Sequence, residues 1–405
     1  MAHIEKRGPG RWRARYRDPE GRELSRTFAR RSDAERFLAL TEADKAHGAW
    51  IDPTAGRTPF GTYARAWQQA QVHRGTTADQ VASHLRNHIL PAFEGRPLAA
   101  VRPSEVQAWV RTRADDLAPS TVEVVYRYLA AIFAAAVRDR MIARSPCVGI
   151  RLPRVVAAEV RPATTDDVLA IADAVPPRYR ALVLLAAGTG LRQGEAFGVV
   201  LPNLDLCRGE LRVDRQIVLR AGHPPAIAPP KTDASFRTIP LPAGVAAVMR
   251  THLAVFPATT RPEHGALVFT TPAGEPLRRN RFGDVWRAVV RRSGARPGLT
   301  FHDLRHYYAS LLIRHGESVK VVQRRLGHKT AQETLDTYGH LWPDSDDRTR
   351  DAVDAELFSG AVPEVAAMHR HDPERTGGDR RFPEIPRPGR GLEGSADRET
   401  AGQRA

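Results

Sequence analysis

The chain has 405 residues, enough for two or three domains with separate cores at roughly 100 to 200 residues each. Its two cysteines, Cys147 and Cys207, exclude a disulfide framework and a four-thiolate zinc site and fit a reducing cytoplasm. No run approaches the roughly 20 apolar residues of a bilayer span, and MAHIEKRGPGRWR lacks the apolar core of a secretory signal, so neither membrane nor export is expected.

With 61 Lys+Arg against 46 Asp+Glu, the net charge is +15 and the isoelectric point is near 10.5. This balance favours a polyanionic partner, nucleic acid before others. Only Lys6, Lys45, Lys231, Lys320 and Lys329 are lysines, and so strong an arginine bias also arises from GC-rich coding. The placement of the charge therefore has to decide.

The first block places charge with a period. In RWRARYR, Arg11, Arg13, Arg15 and Arg17 fall on one face of a strand, with Trp12, Ala14 and Tyr16 on the other. Asp18-Pro19-Glu20-Gly21 reads as a turn that brings 22–28 back as a hairpin partner. Ser32 with Glu35 reads as a capping box opening a helix that Gly48 can end. Four like charges on one face repel one another, so the face reads as a DNA contact; the alternative is a solvated edge strand.

A linker around 53–59 follows. Helices are expected near 60–71, 77–89, 104–113 and 120–139, punctuated by Pro91, Pro103 and Pro119. Ser104 with Gln107, and Ser120 with Glu123, fit helix starts. A second linker, SPCVGIRLPRVV, leads to the largest block, 161–358, which mixes helices with a strand region at 210–241. Beyond Gly360 the chain is rich in Arg, Pro, Gly and acidic residues with little to bury, and disorder is expected there.

The residues suited to chemistry lie in this last block. AGTGLRQGE, after an apolar run, presents Arg192 at a glycine turn with Glu195 able to orient it. In PKTDASFRTIPL, Lys231 occupies a hairpin-like turn, and a lysine can release a proton where an arginine cannot, so it suits a general acid.

TFHDLRH lies one methylene from the zinc signature H-E-x-x-H. Thr300 with Asp303 is a helix start, however, which uses the aspartate as a cap and places His302 in the first turn. Arg305 is expected on the same face as His302 and His306, with Leu304, Tyr308 and Leu311 buried opposite. A permanent cation there disfavours Zn²⁺ and suits a phosphate. Next, 318–325 reads as a helix ended by Gly327, with His328 in the turn. Thr330 and Glu333 then cap a helix carrying Tyr338. A helix-turn-helix reader and a purely structural histidine pair are the competing readings of these segments.

With TGLRQGE, PKTDASFRTIPL, HDLRH, LGH and TYGH in this order, the chain closely resembles the tyrosine recombinase (phage integrase) family. The resemblance implies a multidomain α+β fold. Its parts are a small arm-type DNA-binding sheet and helix (1–55), an all-α, SAM-like core-binding domain (58–148) and a mixed but mainly helical catalytic domain (160–358); the tail 360–405, expected to be disordered from its composition, extends beyond the family's usual end. It implies Tyr338 as the nucleophile, Arg192 and Arg305 as a phosphate clamp and Lys231 as general acid for the leaving 5′ hydroxyl. His302 becomes the acid/base partner near the nucleophile, His328 a further phosphate contact and Glu195 a support for Arg192. His306 and Asp303 stay outside the set.

The chemistry it implies is cleavage and rejoining of DNA through a 3′-phosphotyrosyl link, with no metal, ATP or other cofactor. Arg11, Arg13, Arg15 and Arg17 become arm-site contacts. The implied partners are double-stranded attachment sites, three further copies of the chain in a tetramer, and an excisionase. Val353, Leu357 and Phe358 have spacings that suit docking on a neighbour. A type IB topoisomerase and a non-catalytic DNA-binding regulator are the alternatives.

Overall fold

The computed structural model describes residues 2–155, 160–342 and 346–357. The fold is mixed α+β, and residues Met1–Trp342 form one compact unit.

The N-terminal region is a three-stranded antiparallel sheet, β1 (His3–Gly8), β2 (Arg11–Arg17) and β3 (Glu23–Phe28), in that order. The turn after β2 is tied by Asp18, whose Oδ1 accepts from the backbone N–H groups of Glu20 and Arg22 at 3.0 and 2.8 Å. Helix α1 (Arg31–Ala46) covers one face, burying Ala34 and Leu38 against Ala14 and Tyr16. The arginines of β2 occupy the other. The expected Ser32–Glu35 box is not the start: Arg30 is the N-cap without a side-chain cap, and Glu35 instead accepts from Arg31 Nε at 2.9 Å.

The repulsion expected among the four arginines is partly relieved by local carboxylates. Register places Glu5 opposite Arg13 and Glu23 opposite Arg17, on the same face. Arg15 pairs with Glu23 at 2.7 Å and Glu5 at 3.5 Å. Arg11, Arg13 and Arg17 have no carboxylate partner among the described residues.

The helical region contains α2 (Phe60–Ala70), α3 (Gly75–His84), a π-turn (Leu85–Ile89) running into α4 (Leu90–Phe93), α5 (Pro103–Asp116) and α6 (Pro119–Arg138). Proline at the first position starts both α5 and α6, because its missing N–H would be unpaired there anyway. Gln107 is free of capping and pins the following linker instead, bonding both the N–H and the C=O of Arg151 at 2.8 and 3.0 Å. By length and composition α6 is long and apolar enough to cross a membrane, contrary to expectation. Its Val122, Val125, Leu129, Ile132, Phe133 and Ala136 are nevertheless buried in the core of this region.

The C-terminal region begins with α7 (Thr165–Ala174), α8 (Pro177–Thr189) and the short α9 (Gln193–Phe197). Next come β4 (Leu204–Asp205), β5 (Glu210–Val213), the ribbon β6 (Gln216–Val218) and β7 (Ala226–Ala228), and β8 (Arg237–Pro240). Helix α10 (Ala243–Val255), the hairpin β9 (Thr259–Arg261) and β10 (Gly265–Leu267), α11 (Arg279–Ser293), α12 (Asp303–Arg314), α13 (Val319–Leu326) and α14 (Ala331–Tyr338) complete it. Strands β4, β5 and β8 form one sheet and β6 with β7 another. Lys231 thus lies on a link between two sheets rather than at the tip of one hairpin.

A large core joins α7, α8 and α11, and a smaller one gathers Tyr308, Ala309, Ile313, Val322, Leu326 and Tyr338. Helix α15 (Asp346–Leu357) belongs to a second unit, and its Val353 and Leu357 are exposed. Phe358 and the tail 360–405 lie outside the described residues.

Candidate active site

Two glycines let separate segments meet. Gly190 ends α8 at φ +65°, where a Cβ would lie 2.5 Å from the Tyr308 ring. Gly327 ends α13 at φ +67°, where a Cβ would lie 2.9 Å from the Ala234 carbonyl oxygen. Only glycine adopts this backbone without strain and leaves room for such contacts.

Just past Gly190, Arg192 caps α9 and is fixed from three sides. Its Nη1 donates to Glu195 Oε1 at 3.0 Å and to Ser235 Oγ at 3.3 Å, and its Nη2 donates to the Gly327 carbonyl at 3.0 Å. Glu195 is 3% exposed and also holds Arg237, which donates from Nη2 to Oε2 at 2.9 Å and from Nε to the Arg325 carbonyl at 2.8 Å. Burial alone pushes the Glu195 carboxyl up, but Arg237 and Arg192 outweigh it and hold it below its ordinary pKa.

Arg305 comes from the first turn of α12. It is 2% exposed, so the expected open histidine–arginine face is corrected: the side chain is turned into the protein. Its Nη1 donates to the Gly190 carbonyl at 2.8 Å, while its Nη2 is buried with no partner among the described residues. Burial, then the nearby Arg192, pulls its pKa down to about 9. Asp303 caps as expected, accepting from the Thr300 N–H and hydroxyl at 2.7 Å each, although the helix starts at Asp303 and His302 is its N-cap. Leu311, expected to be buried, is only half-buried.

Helices α13 and α14 carry the remaining parts. Ser318 and Thr330 cap them, each accepting at 3.3 Å from the backbone N–H three residues on. His328 Nδ1 and Thr334 Oγ1 are 2.8 Å apart, and the His328 ring stacks on Tyr338 with 6.3 Å between centroids at 9°. Tyr338 ends α14 and is 1% exposed; burial, partly offset by Arg305 and Arg192, pushes its hydroxyl up to about 12. Burial first, then neighbouring cations, depresses His328 to about 3; burial, then His306, depresses His302 to about 4. Both histidines are therefore neutral at pH 7.

Arg192, His302, Arg305, His328 and Tyr338 converge here. Lys231 lines the same cleft of about 960 Å³ as Arg192 and His302, on an exposed link whose carbonyl accepts from Arg74 Nη1 at 2.9 Å. Arg11, Arg13, Arg15 and Arg17 belong to the N-terminal sheet instead. Two residues outside the expected set enter the site. Arg237 ties β8 to Glu195, and His306 Nδ1 lies 2.8 Å from Tyr338 Oη. The four-residue spacing from His302 to His306 was the visible signal for the second. His302 itself meets His306 edge-to-face at 4.7 Å, and no hydrogen bond joins it to Tyr338 among the described residues. Three guanidinia around one carboxylate make a buried, net-positive pocket beside a buried phenol, which suits an incoming anion with oxygens to share.

Residues 161–344 match the phage integrase family, 60–152 the phage integrase central domain and 3–47 the phage integrase N-terminal domain. The chain is 32% identical over 346 residues to a putative prophage phiRv2 integrase of Mycobacterium tuberculosis, covering 83% of this chain and 90% of that protein. It is 30% identical to the integrase of Mycobacterium phage D29, over 80% of this chain and 89% of that one. In fold it is similar to the Tn1549 transposon integrase in complex with transposon right end DNA, with a TM-score of 0.64, 19% identity and coverage of 74% and 100%. It is also similar to a lambda integrase tetramer bound to a Holliday junction, with a TM-score of 0.53, 19% identity and coverage of 82% and 96%. A match in all three segments, together with relatives this similar along most of their length, means that the chain belongs to the phage integrase family of tyrosine recombinases and is a site-specific DNA recombinase.

Proposed function

We propose that Tyr338 is the nucleophile of this recombinase. Its Oη attacks the scissile phosphorus, the bond to the 5′ oxygen breaks, and a 3′-phosphotyrosyl link retains the bond energy for resealing by another 5′ hydroxyl. Arg192 and Arg305 hold the non-bridging oxygens and stabilise the charge that grows in the transition state. Lys231 gives its proton to the leaving 5′ oxygen. His328 is a further contact on the phosphate side and His302 an acid/base partner in the pocket. The observation that carries this reading is the buried Arg305 Nη2, an N–H group of a cation that nothing among the described residues satisfies. A phosphate oxygen supplies what it lacks.

The reading extends to the rest of the chain. Residues 1–55 bind arm-type DNA through Arg11, Arg13, Arg15 and Arg17, residues 58–148 grip the core attachment site, and 160–358 carry the chemistry. Four copies assemble on two double-stranded sites, as the lambda integrase tetramer on a Holliday junction supports, and an excisionase sets direction.

The test is a nicked suicide duplex on which the full-length wild-type chain forms a covalent adduct. Tyr338→Phe should abolish the adduct and leave DNA binding intact; an undiminished adduct yield refutes the nucleophile assignment. Lys231→Ala should be slow on this duplex and recover on one with a 5′-bridging sulfur, which leaves without protonation.

A further inference from the structure

We infer that His306 is a catalytic residue of the cleavage step, taking the proton from Tyr338 as its oxygen attacks. The inference rests on Tyr338 being the nucleophile. Its starting point is the 2.8 Å approach of His306 Nδ1 to Tyr338 Oη, the one hydrogen bond that this nearly buried hydroxyl makes among the described residues. A buried hydroxyl has to place its proton on an acceptor, so the phenol donates and Nδ1 receives. That fixes the neutral tautomer with its own hydrogen on Nε2.

The surroundings keep His306 able to accept. Burial, opposed by Asp303 and reinforced by Arg305, holds its pKa below the ordinary histidine value, so the ring is neutral at pH 7. The ionisable groups around it are Tyr338 from α14 and His302, Asp303 and Arg305 from its own segment. Arg305 and Arg192 act on Tyr338 in the same direction, lowering a phenol pKa that burial raises, so they favour the phenolate form as the proton leaves.

The atoms balance within the pocket. The Oη–H bond breaks as the O–P bond forms, the proton goes to His306 Nδ1, and the electron pair of the broken P–O bond leaves on the 5′ oxygen. Resealing runs the same steps backwards, His306 returning its proton to the phenolate oxygen as the phosphotyrosyl bond breaks. His302, given this role on the strength of the family motif alone, has no such contact; it packs its ring against His306.

The experiment measures single-turnover adduct formation on the suicide duplex at saturating protein. His306→Asn keeps an acceptor oxygen near the Nδ1 position but cannot be protonated near neutral pH. It should cleave about 100-fold more slowly or worse, within the range of general-base effects, with DNA binding and thermal melting preserved. The wild-type rate should fall on acidification as His306 is protonated, and His306→Asn should lose that acidic limb. Because the defect concerns the nucleophile, a 5′-bridging sulfur that rescues Lys231→Ala should leave His306→Asn slow.

Cleavage by His306→Asn within about twofold of wild type overturns the inference, as does rescue by the sulfur substrate or loss of the acidic limb in His302→Asn but not His306→Asn. His306→Ala is the harsher variant, and Asn, which keeps a polar atom near the Nδ1 position, keeps the test decisive if Ala fails to fold. A Tyr338→Phe protein that still forms the adduct would sink the nucleophile reading instead, a separate and recognisable outcome.

Discussion

The molecule uses arginine in two opposite ways. On the N-terminal sheet, Arg11 and Arg17 are exposed and Arg13 and Arg15 half-buried, among two glutamates and water. In the pocket, Arg305 and the Arg237 side chain are nearly dry; the Arg237 nitrogens go to carbonyls and the Glu195 carboxylate, Arg305 Nη1 goes to the Gly190 carbonyl, and Arg305 Nη2 has no partner among the described residues. An exposed cation is satisfied by solvent whatever its purpose. A buried one without a full set of partners is costly, and the fold keeps it only because the neighbouring carboxylate and helix ends hold it. Charge count therefore points to DNA in general, whereas burial with an unpaired N–H points to one bound phosphate.

The sharpest way to break this contrast is to remove one glutamate from each region. Glu195→Gln leaves the buried Arg237 side chain and the half-buried Arg192 without their counter-ion and should cost about 3–5 kcal/mol of stability by denaturant unfolding. Glu23→Gln removes only the exposed partner of Arg15 and should cost less than about 1 kcal/mol. Equal effects would end the distinction. The pH dependence has a definite sign: since the Glu195 pKa is lowered by folding, its contribution is present above the unfolded carboxylate value and lost as pH falls through the folded one. Wild type should thus lose stability on acidification below about pH 4.5, the ordinary glutamate value, and Glu195→Gln should lose less over that window.

Next in size is Arg305→Met. Single-turnover cleavage should fall by about 100- to 1,000-fold, the usual loss when one transition-state donor is removed. Without DNA, however, the variant should melt at the wild-type temperature or above, because a well-fitting apolar chain in place of an incompletely paired buried cation is neutral or stabilising. A large drop in melting temperature would mean that Arg305 holds the fold rather than the phosphate.

These contrasts also mark how far the sequence could be read. The caps at Ser318, Thr330 and Asp303 and the stop at Gly327 were legible because each acts within three or four residues of itself. The order of TGLRQGE, PKTDASFRTIPL, HDLRH, LGH and TYGH was legible as a family pattern. The burial of Arg305 was not, since helical spacing puts it beside His302 and the carbonyl that draws it inward comes from Gly190 on another segment. The bond from His306 to Tyr338 spans 32 positions, and the tie from Arg237 to Glu195 spans 42. Contacts of that range depend on how helices and strands pack, which no local period encodes. β1 escaped for a different reason: HIEKRG has too mixed an alternation to declare itself, and it becomes a strand by pairing with β2.

The smallest expected effect lies on the exposed side of the comparison. Arg13 sits mid-strand on the outer face, half-buried, opposite Glu5 on one neighbour and Thr27 on the other, and forms no ion pair among the described residues. Arg13→Ala should change stability by no more than about 0.5 kcal/mol, as for surface positions away from special contacts. If the face binds DNA, the loss should appear in the salt dependence: each phosphate contact removed should lower the slope of log affinity against log salt by about 1. The measurement is a titration of arm-type DNA at several salt concentrations, with Arg15→Ala alongside. Arg15 already spends its charge on Glu23 and Glu5, so its removal should change the slope less than removal of Arg13. An unchanged slope for Arg13→Ala would make this face a solvated edge, and the pocket around Arg305 would remain as the region where arginine placement reports function.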